Sequence, residues 1–468
     1  MNREMPRAEA PVPATADGEP IVNLTSLADL NEIVDLTCSL VACDSTNPGG
    51  TEDSTVEVIV DFARHAGLLV HVAEVAPGRP NVVVTLPATF AGPAGPDAGE
   101  AGGASGAGNG PGLLFLGHSD VVPAGDGWGG DPFAPRVEEG RVTGRGTADM
   151  KGALAVVLCV MAGLAEAVAG GHVELSGPVS LAVTVDEEET GIGIRHLVVG
   201  RREGDGRGDE GRDGAGDVAG VDETRALRGR LGPHAGTEFL GCVVAEPTEL
   251  EVVRACRGDS YIDFTITGKP AHSGRPGDGI NAITAAAGVI AEIERDNQRL
   301  AQEPDTVLGA ATWSPGLISG GTGTSIVAGE CFLSVDRRLL PGEDVRGVAA
   351  MMTARLLPHM PPGVEVSASV PMAMPGFITA EDDPLVTAAA QAVTSALGRP
   401  AEVSAWSASC DGGFIAERFG IPVIVCGPGS VNDEAHQADE SVGIRELEAA
   451  ARAYTELIDT MLGAEHKS

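Results

Sequence analysis

The chain has 468 residues, 43% of them apolar, and 31 basic against 67 acidic side chains give a formal net charge of −36. That acidic balance opposes binding to nucleic acid or to an anionic membrane, and the length exceeds one ordinary core, so two domains with loops are expected. The eight cysteines have no two-residue spacing of the structural-zinc or redox type and read as reduced small hydrophobes, while residues 1–24 have no apolar signal core and read as a disordered tail, which together predict a cytoplasmic protein.

From Thr25 to Cys43 the apolar residues Leu27, Leu30, Ile33, Val34, Leu40 and Val41 recur at helical intervals, with Thr25 or Ser26 placed as the cap. The stretch Asp44 to Gly50 breaks this helix, Val56 to Ala66 restores one, and Leu68 to Val75 and Asn81 to Leu86 read as strands. Two stretches, 87–111 and 200–236, are rich in glycine and poor in large apolar residues and read as flexible surface insertions. Between them, Leu113 to Leu116 is a buried-strand pattern that delivers His118-Ser119-Asp120, and Gly144 to Gly152 leads past Asp149 into an apolar helix from Gly152 to Ala165. That helix ends at Glu166, short of the ~20 residues a membrane span needs.

Ser180 to Asp186 is a second buried strand and runs into Glu187, Glu188 and Glu189; Phe239 to Ala245 is a third and ends in Glu246-Pro247-Thr248. After Arg257-Gly258 the pattern becomes half-exposed: a strand at Tyr261 to Thr267, the turn Pro270 to Gly274, a helix at Ile280 to Arg295, strands at Thr312 to Ser319 and Glu330 to Val335, a helix at Val345 to Leu357 and a strand at Val364 to Val370. This order predicts a smaller α+β domain with a four-stranded sheet and two helices, inserted into an α/β domain that resumes with helices at Leu385 to Leu397 and Phe414 to Phe419, a strand at Val423 to Cys426, the loop carrying His436, and a last helix from Ile444 to Leu462. The division expected is 25–257 and 371–468 for the α/β domain and 258–370 for the insertion.

Apolar segments thus end in or lead to His118, Asp149, Glu188, Glu246 and His436. Imidazole and carboxylate ligands without thiolate suit zinc, with cobalt or manganese as substitutes. Five ligands exceed what one catalytic tetrahedral zinc with an open position uses, but suit two metals sharing a carboxylate, a site in which a bridging water ionises near neutral pH. Glu187, beside this set, is the candidate general base.

The motifs together resemble the metallopeptidase and deacylase family that includes acetylornithine deacetylase, succinyl-diaminopimelate desuccinylase, aminoacylase and glutamate carboxypeptidase. They are His118-Ser119-Asp120, Gly144 to Gly152, Glu187-Glu188, Glu246 to Thr248, and Gly427 to Gly429 followed by His436. The resemblance implies a zinc-peptidase-like catalytic domain with a mixed sheet, and two zinc ions per subunit, replaceable by cobalt. His118 and Glu246 would hold one ion, Glu188 and His436 the other, and Asp149 would bridge. Asp120 would orient His118, with a loop cap as its rival role. The acidic run leaves Glu188 and Glu189 open as base and ligand, and the family's Asp-Glu-Glu order favours Glu187 and Glu188.

The inserted domain would be the family's lid and dimerisation domain, whose Ala-His-Ser histidine, here His272, donates to the oxyanion in the partner's site of a homodimer. Arg257 and Arg338 would hold a substrate carboxylate, surface salt bridges being the alternative, and Ser325 stands where relatives carry an asparagine. The implied reaction is amide hydrolysis of a small N-acyl amino acid; dipeptidase or carboxypeptidase action at the same site is the alternative, and binding without hydrolysis a more distant one.

Overall fold

The structure is a computed structural model and describes residues 27–89, 110–199, 231 and 238–463. The expected tail at 1–24 lies outside the described residues, as do most of the stretches 87–111 and 200–236. Leu231, within the second, is buried, which departs from the expectation of a purely surface insertion.

In chain order the helices are α1 (Leu30–Val41), α2 (Asp53–His65), α3 (Gly152–Ala169), α4 (Ile192–Val199), α5 (Ala282–Leu300), α6 (Val345–Leu356), α7 (Pro384–Leu397), α8 (Gly412–Phe419) and α9 (Ile444–Leu462). The first opens later than expected because Asp29 caps it, its carboxylate accepting the Asn31 N–H at 2.8 Å. The strands before the inserted sheet are β1 (Leu69–Ala76), β2 (Arg79–Leu86), β3 (Gly112–His118), β4 (Arg136–Glu138), β5 (Arg141–Thr143), β6 (Val179–Thr184), β7 (Phe239–Val244) and β8 (Val252–Cys256). Those of the smaller unit are β9 (Asp259–Thr267), β10 (Ala271–His272), β11 (Thr312–Gly320), β12 (Ile326–Val327), β13 (Glu330–Arg338) and β14 (Glu365–Met374), followed by β15 (Phe377–Ile378), β16 (Val403–Trp406), β17 (Val423–Val425) and β18 (Ser441–Gly443).

The main sheet runs β1-β2-β6-β3-β7-β17-β8-β15, with β16 also on β8. It is mixed, but β6, β3, β7 and β17 are mutually parallel. Parallel neighbours bring their carboxyl ends to one edge of the sheet, where α/β folds place their sites. Strand β3 is buried throughout: Leu113 and Phe115 join the core under α1, α3, α7 and α9, whereas Leu114 and Leu116 face α4 and α8. Each such side chain contributes about 1.5–3 kcal/mol on burial. Helix α3 continues to Ala169, and the segment 147–169 is long and apolar enough for a membrane span. It is the central core helix, buried along almost its whole length, so burial rather than shortness explains its composition.

The second sheet is antiparallel, in the order β11-β13-β9-β14. Ile262, Phe264 and Ile266 of β9 and Cys331, Leu333 and Val335 of β13 alternate inward against α5 and α6. The chain enters this sheet at Asp259 and leaves it at Met374, the two being paired across β9 and β14. A two-stranded ribbon pairs β10 with β12, setting His272 opposite Ile326. The small strands β4, β5 and β18 form a third sheet, and β8 and β16, unexpected from the sequence, complete the main one.

Candidate metal centre

His118 ends β3, Glu187 and Glu188 follow β6, Glu246 follows β7, and the loop after β17 returns with His436. Four chain segments far apart in sequence therefore arrive at one sheet edge because their strands are parallel neighbours. The remaining ligand candidate, Asp149, comes from the turn that enters α3. Gly117 admits this turn: a Cβ there would lie 2.6 Å from the Met150 Cε atom. Gly429, with φ +88° and Ala148 within 3.0 Å of any added Cβ, brings the Gly-Pro-Gly loop against the same turn. Thr248 of the Glu-Pro-Thr element holds that loop from the other side, accepting from the Gly427 N–H at 3.2 Å and donating its own N–H to the Gly427 carbonyl at 3.1 Å.

The Asp149 carboxylate is divided between two imidazoles. Its Oδ1 lies 3.1 Å from His118 Nε2 and its Oδ2 lies 3.3 Å from His436 Nε2. Glu246 stands beside the first imidazole at 3.5 Å and Glu188 beside the second at 3.3 Å. Ligand atoms of His118, Asp149 and Glu188 lie within 4.8 Å of one another. Glu188 rather than Glu189 meets His436, and Glu189 points to solvent.

The far nitrogen of His118, Nδ1, is 3.0 Å from the Asp120 carbonyl and 3.6 Å from the Asp120 carboxylate. That carboxylate accepts the backbone N–H of Glu187 and of Glu188, each at 3.2 Å, and the Asn47 amide at 2.9 Å. Asp120 thus ties the histidine strand to the glutamate pair. Asp186, at φ +65°, turns the chain after β6 and is held by Asn47 at 2.9 Å and Arg79 at 2.8 Å.

The pocket crowds negative charge. Burial, reinforced by neighbouring carboxylates and only partly offset by His118, raises the Glu187 and Glu246 carboxyls well above their usual range; burial and Asp149 also raise Glu188. Burial acts against ionisation of Asp149 too, but hydrogen bonds from His118 and His436 outweigh it and lower that carboxyl. Bonds to Asp149 and Glu188 lift His436 to about 10, and in His118 the carboxylates of Glu246, Asp120 and Asp149 overcome the opposing effect of burial. Among the described residues, Glu188 Oε1 is buried without a hydrogen-bond partner. A cluster of carboxylates around two imidazoles, with an orphaned buried oxygen, fits divalent cations.

The other candidates lie elsewhere. His272 is exposed, and its Nδ1 accepts the Gly274 N–H at 3.0 Å. Ser325, also exposed, is brought beside it by the ribbon, its carbonyl accepting the Ser273 N–H at 2.9 Å. Arg257 directs Nε and Nη2 to the Leu308 carbonyl, at 2.9 and 2.5 Å. Arg338 is paired with Asp259 at 3.3 Å and Asp336 at 3.0 Å. Among the described residues, none of these four contacts the cluster within its own chain.

Several residues around the centre escape sequence reasoning: Asn47, Arg145, Glu440 and Asp411. Asn47 lies in a turn that reads only as a helix breaker, and Glu440 had a faint signal, four residues after His436. Burial pushes Asp411 up to about 7, and its Oδ2 accepts the Thr184 hydroxyl at 2.8 Å.

Comparison with known proteins gives the family and the fold. The model of peptidase family M20/M25/M40 matches residues 114–460. A succinyl-diaminopimelate desuccinylase of Stenotrophomonas maltophilia is 30% identical over 365 residues, covering 75% of this chain and 84% of that protein. An acetylornithine deacetylase of Vibrio cholerae is 27% identical over 438 residues, covering 92% and 97%. Among solved structures, the aminopeptidase PepT of Bacillus cereus superposes with a TM-score of 0.65 at 23% identity, over 93% of this chain and 99% of that one, a likeness of fold.

Proposed function

Because the chain belongs to peptidase family M20/M25/M40, we propose that it is a two-metal hydrolase that cleaves the amide bond of an N-acyl amino acid, as a deacetylase or desuccinylase does. The observation that carries this reading is the division of the Asp149 carboxylate between His118 and His436. His118 and Glu246 would hold one ion, His436 and Glu188 the other, and Asp149 both. Zinc suits these ligands, and cobalt replaces it. Bound there, two such ions would polarise the amide carbonyl and lower the pKa of the attacking water. Glu187, half-buried next to Glu188 and close to His118 and Asp149, is the base that accepts the water's proton and passes it to the leaving nitrogen.

His272 is the proposed oxyanion donor. Its Nδ1 lone pair is engaged by the Gly274 N–H, so the neutral ring carries its proton on Nε2, the tautomer that can donate. The donor is apart from its own chain's cluster, so a second subunit must present it, and we propose a homodimer. The sheet edge supports this: β11 is an outer strand with Leu317 69% and Ile318 55% exposed, packed against α5 with its exposed Ile283, a surface suited to pairing with another copy. Ser325 and Arg338 would meet the substrate's carboxylate end, and Arg257, committed to Leu308, would shape that wall. The described cysteines are free and mostly buried, as a reducing cytoplasm would keep them, and we divide the chain into an α/β catalytic domain and an inserted lid and dimerisation domain at about the crossings noted above.

A panel of N-acetyl, N-succinyl and N-carbamoyl amino acids and dipeptides, assayed with zinc or cobalt, tests the reading. Hydrolysis of an N-acyl amino acid, abolished by EDTA and restored by zinc, is expected. Cleavage of dipeptides alone would establish the peptidase alternative, and binding without turnover by metal-loaded protein would overturn both.

A further inference from the structure

We infer that Glu440 is a positioning residue that fixes the bridging aspartate; the inference rests on the reading of Asp149 as a shared metal ligand. Glu440 and Arg145 form an ion pair with side chains 0% and 1% exposed, Arg145 Nη1 donating to Glu440 Oε2 at 2.6 Å. The other oxygen, Oε1, accepts the backbone N–H of Ala148 at 2.9 Å and of Asp149 itself at 3.1 Å. Arg145 is anchored in turn: Nη2 donates to the Ala124 carbonyl at 3.1 Å and its guanidinium lies 5.2 Å from the Trp128 ring centroid.

The same residue also holds the other ligand segment. The Glu440 carbonyl accepts the Gly144 N–H at 2.8 Å, and the next residue, Ser441, begins β18 and pairs with Thr143 of β5. Glu440 lies four residues beyond His436. One buried carboxylate therefore joins the backbone that carries Asp149 to the loop that carries His436. Asp149 has to aim one oxygen at each imidazole, so a small rotation of its peptide would degrade both halves of the centre together. Supports of this kind behind a metal ligand change affinity by about 10–100-fold when removed.

A glutamine cannot replace Glu440. If its oxygen receives the two N–H groups, its NH2 faces the Arg145 guanidinium, donor against donor. The test is cobalt titration of the metal-free full-length protein, followed by its visible spectrum, in wild type, D149A, E440Q, R145K and D296N. Asp296 is a comparably buried carboxylate in the smaller sheet unit, bonded to Trp313, Arg299 and Arg355, and D296N reports what general destabilisation does to metal binding.

E440Q is expected to weaken cobalt binding about 10–100-fold and to alter the cobalt spectrum, with D296N retaining wild-type affinity and spectrum. R145K, which keeps a charge for Glu440 but loses the planar fork, should weaken binding severalfold and decides the matter if E440Q does not fold. Wild-type affinity and spectrum in E440Q, or in R145K where E440Q is insoluble, would overturn the inference, as would equal losses in D296N. If D149A itself binds two cobalt ions like wild type, the reading of the centre fails instead.

Discussion

His118 and His272 both close strands and both precede a serine, yet the protein treats them in opposite ways. His118 ends a strand buried on both faces, and each of its ring nitrogens already faces a partner. His272 ends a two-residue strand in an exposed ribbon, with one nitrogen held by Gly274. The first environment is finished by the fold of a single chain: desolvated, surrounded by carboxylates and suited to cations. The second, in the proposed reading, would be a donor to a site in another subunit. A site assembled from both would be rigid where charge must be held and open where a substrate must enter.

The sharpest way to break the contrast is at the buried end. Glu187→Gln should leave about two metal ions per subunit while lowering turnover by up to about ten-thousandfold, since an amide cannot take the water's proton. Metal analysis beside kcat checks this, and joint loss of metal and activity would make Glu187 a ligand rather than the base. Glu188→Ala should instead release metal.

At the exposed end, His272→Ala should reduce kcat by about a hundredfold or more, with metal content unchanged. Mixed with Glu187→Gln, it should recover part of the activity, because one site of each heterodimer then has both an intact base and an intact histidine. Demonstrated subunit exchange without recovery would place His272 in its own chain's chemistry or in structure alone.

A smaller effect is expected from Leu317→Lys with Ile318→Lys. Like charges on the outer strand should yield monomers by sedimentation, with activity falling toward that of the His272 variant as the protein is diluted. An active monomer would break the proposed division of labour between subunits. The smallest effect belongs to the insertion at 200–236: deleting residues 202–229, which spares buried Leu231, should leave kcat within a few-fold, as loop length costs only ~0.6 kcal/mol per doubling. A collapse of soluble yield would show that the segment packs.

How far the sequence reaches is visible in particular residues. His118, Glu188 and Glu246 stand out because each follows a run too apolar to lie at a surface, and a polar group at the end of such a run marks the edge of a buried sheet. The four strands of the smaller sheet are legible for a related reason, since alternation along β9 and β13 reports one wet and one dry face. Strand β8 is less legible because Arg254 interrupts a short apolar run, and the cap of α1 went to Asp29 because several good capping residues precede that helix.

Neighbouring residues therefore determined most of the elements, their faces and the chemical types of the candidate ligands. Only the tertiary structure decided that β6, β3, β7 and β17 are parallel neighbours, that Asp149 divides its oxygens between two histidines, and that Asn47 and Glu440 hold the centre from behind. The physical reason is range. Hydrophobic periodicity is written within a turn of helix or a few residues of strand, whereas a hydrogen bond such as Asp149 N–H to Glu440 joins residues 291 apart and exists only after the packing of both segments has brought donor and acceptor together.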